Sequence, residues 1–345
     1  MLRGIAALIV VISHYSNATN LLNGALGGGA GQFGVMLFFI LSGFLMSYLY
    51  MNQEFNKNAV HGFLIARVAR VLPLFLVVVL CSYSLSLVEL KGILYNIPNT
   101  ASLVSHLALL SGTSVLWTIP AEMQFYALFV LLWWLLSKKE GYLYIVFLLV
   151  FFLLIFLNSP HPKGRIFGVP FDLSLIPALP YFFSGVVLGR LYRVWQSPGY
   201  LSSGVFTLTL LFLLFLYPRI FFSLVGSHHG MWQDSRILFA LSFIFFSIVF
   251  FVPDHNRVLS NHVGDFLGKI SYSLYLLHLP VLFQLKKAAV ERPELFLAVF
   301  LMTSIGISYL SYLIIEDPLR RAIRSTALLK RSQADTQFAS LPVQR

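Results

Sequence analysis

Residues 1–15, MLRGIAALIVVISHY, hold an apolar run between a guanidinium at Arg3 and an imidazole at His14. A glycine-rich link leads from there to residues 33–50, FGVMLFFILSGFLMSYLY, which carry no charge over a length that can cross hydrocarbon. The rest of the chain repeats this pattern. Its 345 residues are 58% hydrophobic, 16% aromatic and only 11% charged, with 33 Phe. One water-soluble core has no use for so much apolar surface, whereas a bundle in lipid can turn it outward. The fold class that follows is all-α, a polytopic integral membrane bundle.

Apolar runs bounded by charges, Pro or Gly fall near 2–20, 33–50, 71–88, 120–137, 142–157, 173–189, 199–218, 236–253, 266–285 and 295–315. These predict about ten transmembrane helices, with both termini on one side. With the N-terminus inside, sixteen of the 24 Lys and Arg fall in cytoplasmic segments, which makes both termini cytoplasmic. The net charge of +11 is then a topology signal plus a basic tail, not the footprint of a nucleic-acid binder. With no internal repeat and no linker, residues 1–318 read as one membrane domain and 319–345 as a basic cytoplasmic tail expected to be poorly ordered. The only cysteine, Cys81, precludes a disulfide within the chain and reads as a packing residue. Arg3, the apolar run and Ser16-Asn17-Ala18 imitate a secretory signal, but the run leads straight into further spans and reads as the first of them.

Eleven residues are close to three whole helical turns, so Arg3 and His14 share a face about 16 Å apart. Arg3 stays at the cytoplasmic interface. His14 lies past mid-membrane, where an ionisable group faces protein or water rather than lipid. In HGFLIARVARVLP (61–73), Arg67 and Arg70 share a face at the mouth of the third span, as forked donors suited to phosphate. In SVLWTIPAEMQFYALF (114–129), Trp117, Glu122, Phe125 and Tyr126 place an acid and three aromatics at the opposite interface, a composition suited to a vestibule for a sugar. Ser42 and Gly43 are small enough for close helix contact. In ISYSLYLLHLPV (270–281), Tyr272, Tyr275 and His278 recur at intervals of three and form a polar stripe facing an interior cavity. Pro280 removes one backbone donor and frees a carbonyl a turn earlier. His228 and His229 lack a nearby third ligand and read as solvated loop, so no metal site is expected.

Together RGIAALIVVISH, GVMLFFILSGFLMS, RVARVLP, LWTIPAEMQFY, ISYSLYLLHLPV and IEDPLRR, in this order, resemble the acyltransferase-3 family of integral membrane O-acyltransferases, including the O-antigen and polysaccharide O-acetylases. The resemblance implies a ten-helix core that takes an acyl group from cytoplasmic acyl-CoA and delivers it to a hydroxyl of an extracytoplasmic or lipid-linked glycan. It maps the family's motif arginine and histidine to Arg3 and His14, its paired arginines to Arg67 and Arg70, and its fourth-span acid to Glu122. Relatives carry an acidic stretch ahead of the first motif. Here only Met1 and Leu2 precede Arg3, which implies either a start assigned too far downstream or an Arg3 positioned with less support.

The expected reaction is transfer of an acyl group, acetyl before longer chains, from acetyl-CoA to a sugar hydroxyl, in a bacterial inner membrane. Arg3, Arg67 and Arg70 are the expected cofactor-binding residues. His14 is the expected catalytic base, since a sugar hydroxyl needs one at neutral pH. Glu122 is the second catalytic candidate, fixing the imidazole tautomer or holding the acceptor, and Trp117, Tyr126, Tyr275 and His278 are candidates for substrate contact. Expected partners are acyl-CoA, the glycan acceptor and the lipid bilayer, with no nucleic acid and a homo-oligomer left open. The competing reading is a transporter or flippase for a lipid-linked sugar or small anion. Transporters of that kind often show related halves, which are not visible here. A structural subunit of an export complex is a third reading, and it predicts tolerance of His14→Ala.

Overall fold

The computed structural model of the protein describes residues 1–90, 92–138, 142, 146, 162–195, 198–228, 230–287 and 293–326. Its helices are α1 (Leu2–Thr19), α2 (Gly31–Tyr50), α3 (Lys57–Leu87), α4 (Thr100–Leu107), α5 (Thr118–Leu136), α6 (Leu175–Val194), α7 (Pro218–Val225), α8 (Ser235–Phe251), α9 (His262–Lys287) and α10 (Pro293–Ser311). A hairpin of β1 (Lys163–Ile166) and β2 (Val169–Asp172) precedes α6. Among the described residues, six helical stretches are long and apolar enough to cross a membrane, or seven if one bent pair is counted as a span. Two of the ten expected spans are shorter or less apolar than that measure, α1 with its Arg and His and the 17-residue α8. The fifth expected span, 142–157, and most of the basic tail lie outside the described residues, apart from Tyr142 and Val146 of the span.

The expected seventh span, 199–218, takes a different form. A 3-10 run, Gly204–Leu211, continues through one α-turn, Phe212–Phe215, and then bends by 85° into α7. Pro218 at the first turn of α7 supplies no backbone donor to the preceding turn, so the break falls there. At the other end of the chain, α10 passes through one π-turn, Tyr312–Glu316, and the helix then continues to Thr326.

Small residues set the packing. α2 and α6 run parallel in close backbone contact: a methyl group at Gly185 would overlap the Ile40 carbonyl, and one at Gly43 the Phe182 carbonyl. Gly185 and Gly189 are four residues apart, the small-xxx-small spacing that lets membrane helices touch. Arg193 of α6 secures the lower end of the pair by donating to the Tyr48 carbonyl at 2.9 and 2.7 Å. α1 and α9 also run parallel, in a nearly constant register. Met1 packs on Gly264, Gly4 on Leu267 and His14 on His278. The start of α1 is therefore anchored on α9.

The carbonyl released by Pro280 has a partner. Leu276 is four residues earlier, and its oxygen accepts the Tyr95 hydroxyl at 2.6 Å. Tyr272 donates to the Val71 carbonyl at 2.6 Å and Tyr275 to the Val115 carbonyl at 3.0 Å, which fixes α9 against α3 and the entry to α5.

Candidate functional site

α1, α3 and α9 start at one end of the bundle, while α2, α5, α6 and α8 start at the other. The two ends hold cavities of opposite character. Toward the first end, Arg3, Arg67, Arg70 and Glu122 line a narrow internal cavity of about 60 Å³, walled also by Ser42 and Phe39. All three arginines singled out by sequence share this space. Arg67 is only 6% exposed, and its guanidinium lies 5.7 Å from the centre of the Tyr50 ring and 5.8 Å from that of Phe63. Its Nε has no hydrogen-bond partner among the described residues. A buried donor left open in this way is costly unless an acceptor comes to it. Arg3 also lines a wider outer groove of about 570 Å³ beside Tyr48 and Tyr192.

Glu122 lies elsewhere than its position at the start of α5 suggested. It faces the arginine cavity, where its Oε1 accepts the Ser42 hydroxyl at 2.8 Å and the Tyr126 hydroxyl at 2.6 Å. Tyr126 is 1% exposed and anchors Glu122 from inside the core, and Phe125 is likewise fully buried, stacked 3.9 Å from Phe182. Neither ring lines a vestibule wall. Ser42, read as a packing residue, is instead a ligand of the acid, while its neighbour Gly43 makes the close helix contact. No hydrogen bond joins Glu122 to His14 among the described residues.

The partner of His14 is His278. Their rings meet edge to edge, within 16° of one plane and with centroids 5.0 Å apart, and His14 Nδ1 lies 2.8 Å from His278 Nε2. His278 is fully buried, and its Nδ1 faces the Leu274 and Tyr275 carbonyls at 3.1 and 2.8 Å. Carbonyl oxygens only accept, so His278 Nδ1 carries a proton and Nε2 of the neutral ring is the acceptor. His14 Nδ1 must then donate, which leaves the Nε2 lone pair of a neutral His14 free to take a proton. His278 thus fixes the tautomer that Glu122 was a candidate to fix. It does so from a position too enclosed to touch a substrate.

The height of this pair follows from the helix register. Tyr275 lines the arginine cavity and precedes His278 by one helical turn, about 4.5 Å of rise. On the other side Ser13, beside His14, accepts the Gly31 N–H at 2.8 Å, and the next residue, Gln32, lines the second cavity. Along the helix axes His14 therefore falls at a height between the two cavities, although its side chain is in the lining of neither.

That second cavity, a vestibule of about 550 Å³, is lined by Trp117, Trp232, Gln32, Gln233, Asp172 and Ser174 among others. Its walls come from the starts of α2, α5, α6 and α8 and from the end of β2. Phe39 separates it from the arginine cavity, with its ring 6.0 Å from both Trp117 and Trp232, which are 5.5 Å from each other. The loop at 112–114 is held by His106, whose Nε2 accepts the Thr113 N–H at 2.9 Å while Nδ1 donates to the Ser102 carbonyl at 2.7 Å. Burial holds the His106 pKa below its usual value.

Sequence reasoning missed three residues. Trp232 lies in a loop with no flanking motif. Gln32 gave no signal, being one amide at the start of an apolar run. Glu316 had a signal, an acid inside an otherwise apolar stretch: it is 3% exposed, accepts the Ser273 hydroxyl at 2.9 Å and lies in the π-turn, a feature frequent at functional sites. Of the paired loop histidines, His228 stacks 4.5 Å from Phe222, and His229 lies outside the described residues.

No curated protein and no solved structure matches the chain at a significant level. The family model described as an acyltransferase domain matches residues 1–315. The chain therefore belongs to the acyltransferase-3 family and is a membrane acyltransferase with an apolar helical body.

Proposed function

We propose that the protein transfers an acyl group, acetyl in the first instance, from cytoplasmic acyl-CoA to a hydroxyl of an extracytoplasmic or lipid-linked glycan, in a bacterial inner membrane. The observation that supports this reading is the relay from the Leu274 and Tyr275 carbonyls through His278 to His14, which leaves His14 Nε2 available to act as a base.

Arg3, Arg67 and Arg70 supply the positive charge that cofactor phosphates require. The arginine cavity is too narrow for a nucleotide, so the nucleotide end stays in the outer groove at Arg3 while the pantetheine arm extends inward past Arg67. The open Nε of Arg67 offers that arm a donor. His14 Nε2 takes the proton of the acceptor hydroxyl as its oxygen attacks the thioester carbonyl carbon. The C–O bond forms, the C–S bond breaks, and the imidazolium returns the proton to the departing thiolate as free coenzyme A. His278 Nε2 accepts from His14 Nδ1 throughout and so stabilises the transient imidazolium, the part an aspartate plays in a hydrolase triad. Glu122, held by Ser42 and Tyr126, is the counter-charge that keeps the three guanidiniums together. With His278 in place, no contact requires Glu122 at the base.

Mass spectrometry of surface glycans from cells expressing wild type, His14→Ala and Arg70→Ala at matched protein levels tests the reading. An acetyl increment with wild type alone supports it. Equal acetylation with all three chains, or altered glycan export with no acetylation, refutes it and favours a transporter.

A further inference from the structure

The hairpin of β1 and β2 contributes only Asp172, at its base, to the two cavities, yet its outer part has a chemistry of its own. Ile166 pairs with Val169, so the turn consists of Phe167 and Gly168, with φ of 49° and 80°. Positive φ at both positions is the type I′ geometry, which Asn-Gly fits and a bulky ring does not. The Phe167 ring is also fully exposed. A strained backbone and an unburied aromatic ring are both unfavourable in water, and such an outlier at a tip calls for a contact that repays it.

The strands sort their side chains by face. Lys163 and Arg165 project from one face, opposite Asp172 and Pro170. Ile166, Val169 and Phe171 project from the other, where the Phe171 ring lies across Gly164. β1 is exposed along its whole length. β2 is the fastened strand: the Pro170 carbonyl accepts the Ser105 hydroxyl, and the Asp172 N–H donates to the Leu110 carbonyl at 2.8 Å. Held by one edge, the hairpin presents two cations, an isoleucine and a phenylalanine to its surroundings.

Its neighbours set its height. α6 begins at Leu175, just beyond Asp172, so the base of the hairpin lies where that span enters the bilayer. Strands of four residues extend about 13 Å, which keeps the tip within reach of the headgroup layer. At the same end, α7 turns 85° from the apolar stretch before it, with Phe222, Leu224 and Val225 exposed. A short apolar helix in that attitude lies along the membrane interface. Both elements lead directly into the vestibule wall, β2 through Asp172 and Ser174 and α7 through Gly230 and Trp232, which places them at one level.

We infer that the hairpin is a lipid-surface anchor on the vestibule side, in which Phe167 and Ile166 enter the leaflet at headgroup depth while Lys163 and Arg165 bind the phosphates of anionic phospholipids. Aromatic rings are favoured at this depth, and basic side chains beside an anionic surface are drawn to it. The hairpin carries two cations against one carboxylate, Asp172, which accepts the Ser174 hydroxyl at 2.8 Å at the vestibule wall. A bilayer is present wherever the spans are folded, so the contact needs no second protein. The inference rests on the spans and the hairpin alone, and is independent of acyl transfer.

The test uses the single cysteine of the chain. In the full chain carrying Cys81→Ser, Ile166→Cys bears a nitroxide. EPR power saturation compares its accessibility to oxygen, which concentrates in lipid, with that to a water-soluble nickel chelate. The samples are nanodiscs of phosphatidylcholine alone and of phosphatidylcholine with an equal part of phosphatidylglycerol. The reporter chain is compared with the same chain carrying Phe167→Asn, and with one carrying Lys163→Gln and Arg165→Gln. Thermal midpoints in detergent serve as the folding control. The reporter should be at least threefold more accessible to oxygen than to the chelate in phosphatidylglycerol discs, and less so in phosphatidylcholine alone. Phe167→Asn, whose side chain suits the turn, should melt no lower than its parent and yet bring the reporter into water. The double substitution should abolish the difference between the two lipids. A reporter in water in both kinds of disc, or one unmoved by Phe167→Asn, overturns the inference and points to a protein partner for the tip. Insertion to equal depth in both lipids overturns it as well, because anionic headgroups then have no part in the contact.

Discussion

The arginine cavity and the vestibule lie at opposite ends of one bundle and divide the chemistry between them. The first gathers three guanidiniums around one carboxylate in a space of about 60 Å³. The second has about nine times that volume, one carboxylate and no described cation in its lining, and two tryptophans. A transporter moving one substrate through a single path needs both ends to welcome the same ligand. An enzyme joining an anionic donor to a neutral acceptor needs ends that differ, with a base where they meet. That contrast is what favours group transfer over transport.

The comparison can be broken most severely at the boundary. His14→Ala should lower acyl transfer by about 10²–10⁴-fold without abolishing acetyl-CoA binding, measured as coenzyme A release and equilibrium binding on one preparation. At the donor end, Arg67→Ala should raise the KM for acetyl-CoA by about 10–100-fold, the value of a charge-assisted hydrogen bond, while glycoside binding stays unchanged. A positioning role for His278 predicts a loss of about tenfold or more in kcat for His278→Ala, with KM for acetyl-CoA little altered. Partial recovery in His278→Gln, whose amide oxygen can accept from His14, separates positioning from a packing defect.

The smaller effects concern the frame of the two cavities. Gly185→Ala pushes a methyl group into the Ile40 carbonyl and should cost about 1–3 kcal/mol, read as a lower thermal midpoint in detergent. His106 supplies a pH dependence at the vestibule. Its folded pKa is lowered, so the unfolded loop takes up a proton more readily, and the stability it contributes is present above about pH 6.5 and lost as pH falls below that value. The protection of the Thr113 amide, after correction for the slower intrinsic exchange at low pH, should therefore fall between pH 7 and pH 5.5, and should not in His106→Gln.

Much of the frame was legible because hydropathy and helix breakers are local. α2, α5 and α9 begin and end within a few residues of their expected positions, and Pro280 frees the carbonyl it was expected to free. The span near 199–218 was not legible as a broken element: its composition is uniformly apolar, and only the geometry around Pro218 shows the bend. In the site, residue types could be read but not their partners. Arg3, Arg67 and Arg70 were recognised as one group because charge clusters at one end of a bundle. The pairing of His14 with His278 depends on a parallel register between helices separated by most of the chain, which no local spacing encodes. Glu122 was read by its depth in α5, when the face it presents to Ser42 decides which cavity it joins. Tyr126 had the composition of a wall residue and serves as an anchor for the acid.

One measurement tests the central claim directly. Wild type and His14→Ala are reconstituted in proteoliposomes with acetyl-CoA on the arginine side and glycan acceptor on the vestibule side, and thiol release is followed with and without acceptor. The account predicts acceptor-dependent release of free coenzyme A by wild type, at least a hundredfold slower with His14→Ala. Acceptor-dependent release at equal rates in both chains, or passage of acceptor across the bilayer with no thiol released, would contradict it.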